Sequence, residues 1–197
     1  MYRPVRTVAP TGTPAGSPIT LDEVKANLDI SYTDKDALIT GLISAAVAHV
    51  DGWTGILGRC LMPQTWRQDF DRFGRCLRLP LAPVASITSV KYDDELDVEQ
   101  TIPGANYVLL EDGLGPYVEF LSTYSLPNIH VERPAVRVTY VAGYADADSV
   151  PAAIKQALHL LVRHWFDNPT AVTIGVQAQA MPMAVDALLA PYRRMRF

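Results

Sequence analysis

Residues 135–169 read AVRVTYVAGYADADSVPAAIKQALHLLVRHWFDNP, and the character of the chain changes within this stretch. The first part, AVRVTYVAGY, is rich in β-branched and aromatic residues and predicts the strongest strand of the protein. In the second part, Pro151 favours a helix start and Asn168-Pro169 a helix end. One face of this predicted helix is apolar, with Ile154, Ala157, Leu158, Leu161, Val162 and Trp165 at helical spacing. A β-rich region therefore gives way to a helical one at about residue 148.

Two further helices are predicted near the amino terminus. The first follows a capping box, in which Thr20 and Glu23 exchange side-chain-to-backbone hydrogen bonds. The second is capped by Thr33 or Asp34 and runs until Gly55 stops it. A last short helix is predicted in MPMAVDALLAP, whereas the segment before it, TAVTIGVQAQA, has few charges and no clear assignment.

The second helix has a wide apolar arc. Gly41, Ala45 and Ala48 lie along it and would let another helix approach closely. An arc of this width predicts contacts on more than one side of the helix, within the subunit or between subunits. For the contact with a neighbouring subunit we predict the stripe made of Ile39, Ile43 and Val47.

Between Cys60 and Tyr144 the chain reads as short strands separated by turns. Their spacing is that of a small sandwich or barrel. Together with the helices, this predicts an α+β fold, a small bundle of about four helices into which a β-rich, sandwich- or barrel-like domain is inserted. The predicted parts are an extended arm (1–18), a helical core (19–58 and 149–190), the β-rich insertion (59–148) and a C-terminal docking tail (191–197). Prolines and glycines in the arm argue against regular structure before Ile19.

Length and composition limit the class of protein. A chain of 197 residues, 49% hydrophobic and 19% charged, is ordinary for a globular protein and can bury a core without disulfides. The two cysteines, Cys60 and Cys76, are expected to be free thiols. The proline-broken amino terminus predicts no signal peptide, and the apolar runs are too short to span a bilayer. We therefore expect the protein to be made in the cytoplasm and to have no membrane partner.

No catalytic constellation emerges from the sequence. His159 and His164 are five residues apart on one helix, so they do not share a face as a metal-binding i, i+4 pair would. The acidic run DDELDVE (93–99) lacks the glycine and the spacing of an EF-hand and is typical of a solvated hairpin tip. The prediction is a protein that is not an enzyme, with no metal and no cofactor.

Two alternatives to a purely structural role stay open. A metal-dependent hydrolase or nuclease would use acidic residues such as Asp69, Asp71 or Asp94, with His130 or His164. A small DNA-binding module would use the arginines of the tail, although the formal net charge of −4 argues against electrostatic binding of nucleic acid by the whole chain.

The carboxyl terminus, LLAPYRRMRF (188–197), combines arginines with aromatic residues. This pairing is enriched at the centres of protein interfaces, because the guanidinium fork and the aromatic area both contribute to binding. From the residues alone, the tail is either a docking segment or a frayed terminus that happens to be basic, and we predict a docking segment.

Seven stretches that span the chain from about residue 18 resemble, in order, the head–tail connector (adaptor) proteins of long-tailed bacteriophages and gene transfer agents. They are PITLDEVKANLDI, TDKDALITGLISAAVAHVDGWTG, PQTWRQDFDRF, LRLPLAPVASITSVKYDD, VRVTYVAGY, VPAAIKQALHLLVRHWFDNP and MPMAVDALLAPYRRMRF. Each stretch alone is unspecific, and the ordered set carries the resemblance.

The resemblance implies a structural subunit of the virion neck that forms a ring, usually of twelve copies, under the portal protein. The ring would join the DNA-filled head to the next neck or tail protein (a stopper or tail terminator), and DNA would pass non-specifically through its channel. In similar proteins the C-terminal segment docks onto the portal. Here that segment is Pro191, Tyr192, Arg193, Arg194, Met195, Arg196 and Phe197.

Overall fold

The computed structural model describes the backbone of residues 4–8 and all of residues 14–130, 134–169 and 183–194. Within these ranges the chain forms four α-helices and two antiparallel sheets, so the predicted α+β class is confirmed. The chain divides into two compact units. A β unit comprises Met1–Ala15 and Pro63–Ala145, and a helical unit comprises Gly16–Met62 and Asp146–Phe197.

The β unit contains a five-stranded sheet of order β1-β2-β8-β4-β5 and a three-stranded sheet of order β3-β7-β6. The strands are β1 (Pro4–Val8), β2 (Gln64–Phe70), β3 (Cys76–Arg78), β4 (Val84–Asp93), β5 (Glu99–Ile102), β6 (Tyr107–Asp112), β7 (Gly115–Phe120) and β8 (Val136–Ala142). Strand β8 lies at the centre of the larger sheet and alternates strictly between buried and half-buried residues. This alternation is what the valine-rich stretch predicted, because successive side chains of a strand point to opposite faces.

The expectation of no regular structure before Ile19 is wrong for residues 4–8. Strand β1 pairs antiparallel with β2 and forms one edge of the larger sheet. Proline is tolerated at the first residue of an edge strand, because its missing N–H is not needed for the ladder there. Pro4 occupies that position.

The helical unit contains α1 (Leu21–Leu28), α2 (Asp36–Val50), α3 (Ala152–Asp167) and α4 (Met183–Leu189). The capping box of Thr20 and Glu23 is present as predicted, with Thr20 N to Glu23 Oε2 at 2.6 Å and Glu23 N to Thr20 Oγ1 at 3.2 Å. Helix α3 buries five of the six residues predicted for its apolar stripe, Ile154, Ala157, Leu158, Leu161 and Val162, and leaves Trp165 half-buried. Helix α2 packs against α1 and α3, and α4 packs against α3.

Helix α2 ends at Val50, earlier than predicted, because the chain folds back onto the end of the helix. In this fold-back loop (residues 51–62), Ile56 N donates to His49 O at 3.0 Å and Leu57 N donates to Val50 O at 3.2 Å. The last helix carbonyls thereby gain partners that helix geometry alone does not supply. Gly55 therefore acts in the fold-back loop beyond the helix, instead of ending the helix itself.

The start of α2 also differs from the prediction, because Lys35 stands at the cap position without a side-chain capping bond. Asp36, in the first turn, instead pairs with Lys25 of α1, with Lys25 Nζ to Asp36 Oδ1 at 2.6 Å. This ion pair joins the first two helices. Cys60 and Cys76 are thiols that take part in no disulfide, and Cys60 is buried.

Candidate functional site

The carboxyl-terminal segment is attached to its own helical unit. Helix α4 buries Val185 and Leu189 and passes into a short 3-10 turn, Ala190–Tyr192. Beyond that turn, Arg194 N donates to Leu57 O at 3.0 Å, and Arg59 Nε donates to Tyr192 O at 2.8 Å. We call these four residues the C-terminal clamp.

The clamp holds only the first part of the predicted docking tail. Arg193 pairs with Asp186 of α4, with an Nη2 to Oδ1 distance of 2.5 Å, and the two side chains are 41% and 49% exposed. An exposed pair of this kind contributes little to stability, so a stronger partner can displace it. The remaining tail residues of the prediction, Met195, Arg196 and Phe197, lie outside the described residues.

Helix α2 presents a surface different from the stripe predicted for subunit contact. Ile39 and Ile43 are 0% and 6% exposed and lie in the core, and Val47 is half-buried. The solvent side instead carries Leu38, which is 54% exposed, together with Gly41, Ala45 and Ala48. We call these four residues the α2 small-residue face. Its spacing of three, four and three residues places all four along one line of the helix.

Polar residues next to this face do not make it hydrophilic. Thr40 Oγ1 donates to Asp36 O at 2.8 Å, and Ser44 Oγ donates to Thr40 O at 3.0 Å. Both hydroxyls are thus turned back to the helix backbone, as serine and threonine often do inside helices. Between Asp36 and His49 the helix has no charged residue. A helix that is apolar on all sides is normally buried on all sides, yet α2 is exposed along this face.

Two of the acidic residues considered for catalysis, Asp69 and Asp71, lie next to arginines. Asp69 is 0% exposed and accepts two hydrogen bonds from Arg67, at 2.8 and 3.1 Å. Asp71 is buried as well, and Arg72 Nε lies 3.9 Å from its carboxylate. Over the ranges that the structure describes, no group of three or more His, Cys, Asp or Glu is placed to hold a metal ion. His130 lies in the β unit, where its backbone N–H donates to Asp93 O, and His164 lies on α3 in the helical unit.

The predicted acidic hairpin tip lies between β4 and β5 and is tied together by cations. Arg137 of β8 donates to both carboxylate oxygens of Asp93, at 2.6 and 2.5 Å, and to Glu99 at 3.0 Å. Lys91 Nζ lies 2.7 Å from Glu99. Asp94 accepts from the backbone N–H groups of Leu96 and Val98, both at 3.0 Å. The acidic run therefore stabilises the hairpin and the adjacent strands.

The pKa of Asp93 is lowered, first by the hydrogen bonds from Arg137, and the pKa of Glu99 is lowered, first by the hydrogen bond from Lys91. A carboxylate with a lowered folded-state pKa stabilises the fold above its unfolded pKa. That contribution is lost as the pH falls through the folded-state pKa. The hairpin therefore loses stability in acid, below the ordinary carboxylate range.

We expect the Arg137→Ala variant to be destabilised by about 2 kcal/mol at pH 7, because a partly buried carboxylate loses its charged donor. The loss of stability between pH 5 and pH 2 should also become smaller than in the wild type. Urea unfolding at several pH values measures both effects. Arg78→Ala is the matched control, since Arg78 makes a similar two-bond pair with the exposed Asp112 and its loss should cost less. Equal losses for the two variants would contradict the role given to Arg137.

The described residues form a two-unit α+β protein, with an exposed α2 small-residue face and a C-terminal segment held by the C-terminal clamp. The chain belongs to the head completion protein family, whose family model matches residues 18–195. The resemblance to head–tail connector proteins seen in the sequence is thereby confirmed at the level of the family.

Three solved structures are similar over the whole chain. One, described as the neck of an empty GTA particle computed with C6 symmetry, is 25% identical with a TM-score of 0.73. A second, the virion of a native gene transfer agent (GTA) particle, is 24% identical with a TM-score of 0.74. A third, the neck of a native GTA particle computed with C12 symmetry, is 21% identical with a TM-score of 0.66. In each case the alignment covers 100% of this chain and 97% of the other.

No curated protein matches the chain significantly. Within the described part of the chain, no helix has both the length and the apolar character required to cross a membrane.

Sequence reasoning identified part of these surfaces and missed part. Gly41, Ala45 and Ala48 were recognised as a place for close helix approach, but the periodicity did not show which apolar stripe was buried. Leu57 and Arg59 were missed, because no local pattern marks a residue that binds the chain about 130 positions later.

Proposed function

We propose that this protein is a structural subunit of the neck of a phage-like particle, not an enzyme. About twelve copies would form a ring under the portal protein and connect the DNA-filled head to the next neck or tail protein. The protein would act in the particle and be made in the host cytoplasm. Its architecture would be a small helical bundle that carries a sandwich- or barrel-like β domain.

The observation that carries the proposal is the uncovered α2 small-residue face of a member of the head completion protein family. In a ring, each subunit contacts its neighbours through two different surfaces, so one surface left apolar in the single chain is expected. Apart from its chain neighbours and the backbone of its own helix, no described residue has an atom within 4 Å of the position that a Cβ of Gly41 would take. Small side chains there allow a neighbouring element to pack close to the helix backbone.

The likeness to the neck of an empty GTA particle, at 25% identity over the whole chain, supports a location in the neck. The residues that meet each partner are a separate part of the proposal. For those contacts we propose the α2 small-residue face toward a second copy, in place of the stripe of Ile39, Ile43 and Val47, whose first two residues are buried. The tail, Pro191 to Phe197, is proposed to contact the portal.

DNA is proposed to pass through the ring without specific binding. The formal net charge of −4 fits this role, because a strongly basic channel would bind phosphates and slow the passage of DNA. A channel lining that is mainly positive in the assembled ring would contradict this part of the proposal.

Deleting residues 191–197 tests the role of the tail. The truncated protein should fold, because Val185 and Leu189 of α4 remain to cover the core. Its attachment to heads that carry the portal but lack the neck should weaken about a hundredfold, as expected for the loss of an aromatic and arginine anchor. Co-sedimentation with such heads measures attachment, and circular dichroism verifies the fold. Attachment at the wild-type level would remove the role given to the tail.

A further inference from the structure

The C-terminal clamp joins two distant parts of the chain through the backbone of the tail. Arg59 binds the carbonyl of Tyr192, and Leu57 accepts from the N–H of Arg194. The two hydrogen bonds are thus made to alternate residues of the tail, Tyr192 and Arg194. Arg193 lies between them and has extended backbone angles, φ −64° and ψ 131°. Since the hydrogen bond from Arg59 is made to the main-chain carbonyl of Tyr192, the Tyr192 side chain takes no part in it.

The residues that hold the tail belong to a loop that is hydrogen-bonded to itself and largely buried. Within the fold-back loop, Gly52 N donates to Arg59 O at 2.7 Å, and Leu61 N donates to Asp51 Oδ1 at 2.6 Å. Leu57, Cys60 and Leu61 are each 0% exposed. The Arg59 guanidinium, itself half-buried, is therefore presented from a fixed backbone.

We propose that Arg59 is a positioning residue for attachment of the subunit to the portal. By holding Tyr192 against the fold-back loop, it fixes the point at which the docking tail leaves the helical unit. This inference rests on the proposed docking role of the tail. A segment that is already ordered where it leaves the folded unit loses less conformational freedom on binding and therefore binds more tightly.

Arginine is suited to this position. Its Nε–H belongs to a planar group with several donors in fixed geometry, so one N–H can bind a main-chain carbonyl with a defined direction. Lysine would supply a charge and a donor without that geometry. An inhibitory clamp is the opposite possibility, in which the tail would have to leave the loop before docking. Because the Tyr192 side chain takes no part in the clamp, the tail can meet a partner while the clamp is closed, which corresponds to positioning.

The experiment compares wild type, Arg59→Ala, Arg59→Lys, the 191–197 deletion, and the deletion combined with Arg59→Ala. Attachment to heads that carry the portal but lack the neck is measured by co-sedimentation at increasing protein concentration. We expect Arg59→Ala to weaken attachment about tenfold, the effect of losing one charge-assisted hydrogen bond. Arg59→Lys should recover part of that loss. In the deletion background, Arg59→Ala should have no further effect, since the two changes act on the same contact.

Hydrogen exchange of the isolated protein provides a second readout, which a general loss of stability would not reproduce. The Arg194 amide should be protected in the wild type and exchange about tenfold faster in Arg59→Ala, by the same hydrogen-bond loss. Amides in the middle of α3 should exchange as before. The comparison of the Arg194 amide with the α3 amides remains informative even if Arg59→Ala lowers the thermal midpoint of unfolding.

The outcomes separate the two proposals. If the deletion attaches normally, the docking role of the tail fails. If the deletion fails to attach but Arg59→Ala attaches like the wild type, the tail role stands and the positioning role of Arg59 is wrong. Stronger attachment of Arg59→Ala would indicate an inhibitory clamp and would also overturn the inference, as would an unprotected Arg194 amide in the wild type.

Discussion

The Ala45→Glu variant should fold normally and fail to form the ring. Ala45 lies in the middle of the α2 small-residue face and is exposed in the single chain, so the glutamate can reach water in the free subunit. Its effect on the helix itself should be small, because glutamate is a good helix former. In the proposed ring the same carboxylate would be moved from water into the contact with a neighbouring subunit.

An uncompensated buried charge costs several kcal/mol, so subunit association should weaken about a thousandfold. Sedimentation velocity of the protein mixed with its portal measures the ring, and circular dichroism measures the fold. Two controls match the change. Ala45→Ser keeps the small size and should still assemble, and Ala152→Glu places the same new charge at an exposed position in the first turn of α3.

Normal assembly of Ala45→Glu would show that the α2 small-residue face is not the contact between subunits. Failure of Ala152→Glu to assemble would mean that added negative charge, rather than its location, prevents the ring. The proposal is therefore supported if Ala45→Glu loses ring formation while Ala45→Ser and Ala152→Glu keep it.

The Gly55→Ala variant should be strongly destabilised. A Cβ at this position would lie 2.2 Å from Asp51 O and 2.4 Å from Val50 O. Both are backbone atoms at the end of α2, so a side-chain rotation cannot relieve the overlap. Either the fold-back loop or the end of the helix must shift, and the bonds from Ile56 and Leu57 to the helix carbonyls would weaken.

We expect Gly55→Ala to lose about 3 kcal/mol of unfolding free energy or more, at the upper end of the usual cost of overpacking. Chemical unfolding followed by circular dichroism measures this loss. Gly41→Ala is the matched control, because its new methyl group meets no described residue within 4 Å outside its own helix backbone and chain neighbours. That variant should gain about 0.5–1 kcal/mol in the free subunit, since alanine is favoured over glycine inside a helix. Equal stability of Gly55→Ala and the wild type would rule out the close approach of Gly55 to the helix end.

The two variants separate folding from assembly. Ala45→Glu should remove the ring and leave the subunit intact, whereas Gly55→Ala should weaken the subunit itself. Because the fold-back loop also carries Leu57 and Arg59, the Gly55→Ala variant should show reduced protection of the Arg194 amide as well.

Patterns confined to neighbouring residues were predictable from the sequence. The capping box at Thr20, the alternation of β8 and the apolar stripe of α3 each depend on contacts or periodicities within a few positions. The turn formed by the acidic run between β4 and β5 was predictable for the same reason, whereas its pairing with Arg137 was not. The ordered set of stretches likewise led to the family, because family resemblance is itself a property of sequence.

By itself, then, the sequence determined the α+β class, most of the helices and strands, and the family. Tertiary structure alone decided which stripe of α2 is buried, that β1 pairs with β2, and that the chain folds back at Gly55 to bring Leu57 and Arg59 to the tail. The reason is physical. A local pattern shows that a residue is apolar or able to donate a hydrogen bond. Its partner depends on how segments far apart in the chain pack together, and the periodicity of the sequence does not encode that packing.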